Sequence, residues 1–302
     1  MWVMLALVSA GLQGLRGIVY HWSSQRRMDR NVMLMGSFSM GALICLAGSW
    51  IMNEPWPATI WYGLVIGSFS FIANTAMFRG YATGKASTVA LLVALPAVPV
   101  VFLAWLFWGE TLSLWQWIAF AIIVSGVVLI RYSDDLSFTR LEGLKWGLIA
   151  MFFYAFNDLA NKQAALAGAP LLPLMTVMFL TGTALFGAAW RIERRRRRSA
   201  GIEAESTGDR TAGESSDREK AWSDGKTYLW GLAVGLIQAS IMIVTFLAFK
   251  YGVTGLVSAI ISLNLVIVML YVRLVVKEPF RRREVAGIVL ALAGMLVLHL
   301  FG

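Results

Sequence analysis

Apolar stretches of about twenty residues recur along this chain between short polar connections, and nothing constrains the fold more. Roughly 20 residues at 1.5 Å rise cross the ~30 Å hydrocarbon core of a bilayer. Ten such spans fall at 2–20, 32–51, 59–80, 86–107, 113–131, 145–165, 170–190, 228–249, 254–275 and 284–301. A backbone in lipid must satisfy its own hydrogen bonds, so the expected fold class is an all-α integral membrane protein. Composition agrees, with 58% hydrophobic and 14% charged residues against about 25% charged in soluble domains. Tryptophans such as Trp2, Trp50, Trp108, Trp146 and Trp230 stand at span ends, as in interfacial belts. The first span resembles a secretory signal in length but lacks a basic n-region.

The net charge of +9 does not point to nucleic acid, because the basic residues flank apolar spans. Cys45 stands alone, and only His21 and His299 supply imidazole, so no disulfide framework, metal site or cofactor is expected. Of the 26 Lys and Arg residues, 22 lie in or at the edges of the connections after spans 1, 3, 5, 7 and 9. By the positive-inside rule those connections are cytoplasmic and both termini outside, in a multi-pass protein of the plasma or inner membrane.

The connection 191–227 opens with Arg194 to Arg198 and continues through Ser, Gly, Glu and Asp. It offers no face to bury and reads as a disordered cytoplasmic loop. The arginine run is either a stop-transfer flank or a site for anionic lipid or a partner.

A shift of 168 residues superimposes Gly63 on Gly231, Gly67 on Gly235, Phe78 on Phe246, Gly84 on Gly252, Glu110 on Glu278 and Gly126 on Gly294. Spans 1 and 6 align near a shift of 144, with Trp2 on Trp146, and the long loop absorbs the difference. An odd number of spans per half makes the second copy enter the membrane upside down. The expected architecture is therefore ten transmembrane helices as two inverted five-helix repeats, 1–131 and 145–302, with 191–227 inserted. Such repeats mark secondary transporters with a midplane site between the halves. The pairs Gly63/Gly67 and Gly231/Gly235 predict close, symmetry-related helix packing for spans 3 and 8.

The stretch Leu95-Pro96 through Phe107-Trp108-Gly109-Glu110 and on to Gly126-Val127-Val128 resembles EamA-type permeases of the drug/metabolite transporter superfamily. A second copy runs from Leu263-Asn264 through Val276-Lys277-Glu278 to Gly294. The resemblance implies two bundles around a central cavity and carriage of small metabolites, often outward. Asn264 stands where the pattern has proline and Lys277 where it has glycine, which predicts a straighter span 9 than span 4.

Candidate substrate contacts are the intramembrane polar residues Gln13, Arg16, Asn74, Asn157, Asp158, Gln238 and Asn264. Amides both donate and accept, and the bland alternative for each is interhelical packing. Asp158 is either a proton-coupling group or the i,i+4 partner of Lys162, with Arg16 as a second candidate partner. Arg16 could also snorkel to the interface, as expected of Arg273. Pro96 removes a helical hydrogen bond and is a candidate hinge. Glu110 and Glu278 read as structural carboxylates in the first turns of spans 5 and 10.

The leading expectation is a secondary transporter, an exporter of a small organic metabolite working by alternating access, with the bilayer and possible proton coupling as its other partners. The same residues leave open a flippase for a lipid-linked metabolite. An integral membrane enzyme is disfavoured, because the connections offer no clustered nucleophiles, acids or metal ligands and hence no catalytic residues. Monomer and homodimer are not distinguished.

Overall fold

The computed structural model describes residues 1–24, 26, 28–84, 86–131, 141–206, 222–264, 266–267, 271 and 282–301. Among them the secondary structure is wholly helical. The helices are α1 Trp2–Ser24, α2 Arg30–Ile51, α3 Tyr62–Thr83, α4 Ala86–Val93, α5 Ala97–Trp108, α6 Leu114–Arg131, α7 Leu141–Leu166, α8 Leu171–Ser206, α9 Asp224–Tyr251, α10 Thr254–Ile261 and α11 Arg282–Phe301. A 3-10 turn, Ala58–Trp61, leads into α3.

Among the described residues six stretches are long and apolar enough to cross a membrane: Trp2–Tyr20, Arg30–Ile51, Ala58–Thr83, Thr88–Trp108, Leu171–Arg196 and Asp224–Tyr251. Two shorter apolar helices, Leu114–Ile130 and Val285–Leu298, occupy the places of spans 5 and 10. Helix α7 has the length, 26 residues. It is less apolar because Asn157, Asp158, Asn161 and Lys162 share it.

The helix ends follow local chemistry. Asp29 accepts from the backbone N–H groups of Asn31 and Val32 and starts α2, as an N-cap carboxylate does. Gly109, at φ 63°, ends α5 in the left-handed region where a Cβ is disfavoured. Ser113 and Gln116 form a reciprocal cap, each bonding the other's backbone N–H, so α6 starts at Leu114. Glu110 consequently lies in the connection before α6 and not in its first turn, which corrects the expected position.

Packing occurs in matched sets. A methyl on Gly63 or Gly67 would stand 2.6 Å from the carbonyl oxygens of Leu174 and Met178 on α8. Gly231 and Gly235 make the same approach to the carbonyls of Met33 and Ser37 on α2. Helices α3 and α9 thus make equivalent contacts, each with a different partner. Gly126 of α6 meets Gly287 and Ala291 of α11, while Gly294 meets Ala119 and Ile123. Those two sets are related by the 168-residue shift. At all six glycines the approach leaves no room for a Cβ without displacement of the neighbour. Between α2 and α8, Phe38 meets Phe179 edge-on at 5.5 Å and Phe186 in a tilted contact at 5.3 Å.

Span 4 is broken at Ala94–Pro96, between α4 and α5. Span 9 is broken at the equivalent place: α10 ends at Ile261, 168 residues beyond Val93. Even the irregular hydrogen bonds correspond, Leu95 N to Leu92 O matching Leu263 N to Ile260 O, and Val98 N to Leu95 O matching Val266 N to Leu263 O. The expectation of a straighter span 9 is therefore overturned. Proline is not required, because Ser262 Oγ donates to Ala259 O at 2.7 Å and competes for a helical carbonyl. Gly14 lets α1 come close to the break, with a built methyl 3.2 Å from the Asn264 carbonyl oxygen.

The segment 191–227 is also shorter as a loop than expected. Helix α8 runs past the arginine run to Ser206, and α9 begins at Asp224. Arg, Glu and Ala are strong helix formers, and a helix already nucleated in the apolar span extends without a new nucleation cost. Glu193 accepts from Asn31 Nδ2 at 2.9 Å, tying this extension to α2. Residues 207–221 lie outside the described residues.

Candidate functional site

The polar side chains predicted from sequence fall into three groups. The first lies between α1, α9 and the break after α10. Ser9 and Thr245 hydroxyls meet at 2.6 Å, Gln13 Nε2 donates to Ser9 Oγ at 3.3 Å, and Asn264 Nδ2 donates to Gln13 Oε1 at 3.3 Å. Arg16 Nη1 donates to Gln238 Oε1 at 2.6 Å. Its guanidinium lies 5.7 Å from the centre of the Tyr20 ring. Arg16 thus points into the helix packing towards Gln238, which overturns snorkelling as its resting geometry. Arg273 lies outside the described residues.

The second group lies between α3 and α7. Tyr154 donates to Asn74 Oδ1 at 3.2 Å, and Asn74 Nδ2 donates to Ser70 O at 2.7 Å. Asn157 Nδ2 donates to Ile66 O and Ser70 Oγ, both at 2.9 Å. Asn157 is buried and its amide is fully engaged between helices, so its geometry is that of interhelical hydrogen bonding. Gln238 is buried as well, whereas Gln13, Arg16, Asn74, Asp158 and Asn264 keep part of their surface accessible.

The third group joins the two halves of the chain. Asp158 accepts from Ser258 Oγ at 2.7 Å, linking α7 to α10. Lys162 does not pair with Asp158. Its ammonium lies 3.3 Å from Glu110 and donates to Gly252 O at 2.9 Å. Glu110 also accepts from Thr254 N and Thr254 Oγ1, each at 3.0 Å, capping α10. The expected i,i+4 pair fails because Glu110 and the Gly252 carbonyl together satisfy Lys162, while Ser258 satisfies Asp158. Arg16 does not reach Asp158 either, being held by Gln238. Glu278, the repeat counterpart of Glu110, lies outside the described residues.

This third group closes the face that carries the connections 109–113 and 252–253. Helix α7 packs there on α9 and α10, and α10 on α5. The repeat counterpart of the α7–α9 pairing is α1 with α3, and no comparable packing joins α1 to α3 among the described residues. The counterpart of the 109–113 connection, 277–281, lies outside the described residues.

Sequence reasoning missed Tyr154, Tyr20, Ser258 and the true partners of Lys162. Tyr154 was findable, since it lies three and four residues before Asn157 and Asp158 on one helix face. The Glu110–Lys162 pair spans 52 positions and has no local signal.

Among the described residues no group of three or more His, Cys, Asp or Glu is placed to hold a metal ion. The EamA-like transporter family matches this chain over residues 1–132 and 141–300. The chain belongs to that family. EamA proteins are part of the drug/metabolite transporter superfamily, so the expected resemblance is established. A relative from Sinorhizobium sp, named "Uncharacterized transporter in cobO 3'region", is 29% identical over 136 residues, covering 43% of this chain and 95% of the relative. A solved structure named only "Crystal structure of protein" superposes with TM-score 0.75, covering 100% of this chain and 99% of its own at 14% identity. At that identity the likeness concerns fold alone. Family and relative together identify this EamA protein as a membrane transporter.

Proposed function

We propose that this EamA protein is a secondary transporter that exports a small organic metabolite by alternating exposure of a site between two inverted five-helix repeats. The observation that carries the reading is the pair of helix breaks, Ala94–Pro96 and Ser262–Leu263, at equivalent places in the two halves. Interrupted helices expose backbone polar groups at membrane depth, which lipid does not tolerate unless they line a site or contact protein. The reciprocal glycine contacts of α3 with α8 and of α9 with α2 support the inverted repeat.

Ten spans, termini outside, basic connections in the cytoplasm and residence in the plasma or inner membrane complete the reading. It rests there on the placement of Lys and Arg. On that topology the Glu110–Lys162–Thr254 group shuts the outer face, and the resting conformation receives its solute from the cytoplasm. Alternation then consists of breaking this group while α1 closes on α3. Gln13, Arg16, Asn74 and Asn264 are the substrate-facing set, Asn157 and Gln238 hold that set in place, and Pro96 marks the hinge. Asp158, bound to Ser258 at the closing face, is the candidate proton-coupling group.

The test is a resistance and efflux screen in cells overexpressing the protein, followed by counterflow of any hit in proteoliposomes. A solute that accumulates by counterflow without an added nucleotide supports the reading. Failure of every screened efflux hit to exchange through the purified protein refutes it.

A further inference from the structure

Arg16 is treated unlike Lys162. Lys162 is neutralised by Glu110, whereas among the described residues Arg16 has no carboxylate within ion-pair distance, its polar partner being the neutral Gln238 amide. The repeat counterpart of Arg16, 144 residues on, is Ala160, so the charge belongs to one half only and is not a requirement of the shared architecture. A charged side chain in a membrane helix is costly, and such residues mark solute pathways or partners.

The surroundings of Arg16 suit an anion. Its guanidinium stands over Tyr20 at 5.7 Å. Tyr154, on α7, faces α3. Asn74 and Tyr154 bond each other there at 3.2 Å. Arg16, Tyr20, Asn74 and Tyr154 all keep accessible surface. Gln238 holds one guanidinium nitrogen at 2.6 Å and fixes the side chain. The remaining guanidinium N–H groups form a planar fork that matches a carboxylate in two parallel hydrogen bonds. Phenol hydroxyls add donors, and their rings add flat apolar walls.

We infer that Arg16, oriented by Gln238 and standing beside Tyr20, binds the carboxylate or equivalent planar oxyanion of a small organic anion. The inference rests on the transporter reading and names the substrate class for it. The region lies between α1 and α3, the pair that is not packed together, so a solute reaches Arg16 without breaking the Glu110–Lys162 closure.

The test uses the full-length protein in lipid nanodiscs and three probes of one shape, benzoate, benzamide and benzylamine, titrated by calorimetry. Benzoate is expected to bind at millimolar concentration or below, with benzamide and benzylamine at least about tenfold weaker. Arg16→Gln is expected to lower benzoate affinity at least about tenfold, and Arg16→Lys less, because a point charge keeps the attraction and loses the fork. The inference is overturned if benzamide binds as well as benzoate, if Arg16→Gln leaves benzoate binding unchanged, or if benzoate does not bind at millimolar concentration. The probe comparison in the unmodified protein decides the matter even where a variant does not fold. A neutral or cationic solute whose counterflow survives Arg16→Gln leaves the transporter reading standing and refutes the anion site. Benzoate binding without counterflow of any solute does the reverse.

Discussion

Lys162 reaches across the two halves of the chain to Glu110, 3.3 Å away, and in the same position donates to the Gly252 carbonyl at 2.9 Å. Glu110 in turn caps α10 through Thr254. One ion pair thereby ties the 109–113 connection, α7 and the start of α10 into a single closure. Both side chains are largely buried, at 10% and 20% exposure, so removal of one partner leaves the other charge with an incomplete shell.

Lys162→Met and Glu110→Gln are each expected to lower the melting temperature of the purified protein by several degrees. The double variant should lose less than the sum of the two, because the partners share one interaction. Thermal unfolding of all three in one detergent checks this. Strict additivity would show that the pair contributes nothing to the resting state.

The glycine contacts predict paired effects. Gly63→Ala and Gly231→Ala each push a methyl into a carbonyl of the facing helix, and each should destabilise by about 1–3 kcal/mol. Gly11→Ala meets nothing within 4 Å and should be neutral or stabilising by up to about 1 kcal/mol through helix propensity. Unfolding of the three variants separates close packing from propensity, and equal losses at all three would rule out the packing account.

Asp158 supplies a third test. Its hydrogen bond from Ser258 at 2.7 Å sits where α7 meets α10. If protonation of this carboxylate drives the cycle, Asp158→Asn should leave counterflow measurable and remove its dependence on an imposed proton gradient. Ser258→Ala, which keeps the carboxylate, should retain that dependence. Uptake with and without a gradient, compared for the two variants, is the measurement. An Asp158→Asn protein that still responds to the gradient excludes the coupling role.

Pro96 offers a fourth. The break after α10 forms without a proline, through Ser262 and the close approach of α1. Pro96→Ala should therefore fold and keep the α4–α5 interruption, with the rate reduced by less than about tenfold. Hydrogen exchange of the amides from Ala94 to Val98 reports the break directly. Protection as strong as in the middle of α3 would mean that proline alone creates it.

Much of this architecture was legible in advance. The apolar lengths announced membrane helices, and the repeated glycine pairs anticipated close, equivalent packing of α3 and α9, though not their partners α8 and α2. The straight span 9 was misjudged because the absence of proline was taken as the absence of a break. Serine competition and a neighbouring helix do the same work, and neither shows in a residue pattern. The loop at 191–206 was misjudged because composition was weighed without the apolar helix that precedes it.

By itself the sequence determined the membrane solvent, the approximate spans, the internal correspondence and the family motifs. These are sums over many local contributions, and a single residue cannot reverse them. Only the tertiary structure decided that Lys162 chooses Glu110 over Asp158, that Arg16 turns to Gln238, and that α7 packs on α9 more closely than α1 on α3. Ion pairs and hydrogen bonds act over a few ångströms. Their partners are therefore set by which helices meet, and neighbours in sequence need not be neighbours in space.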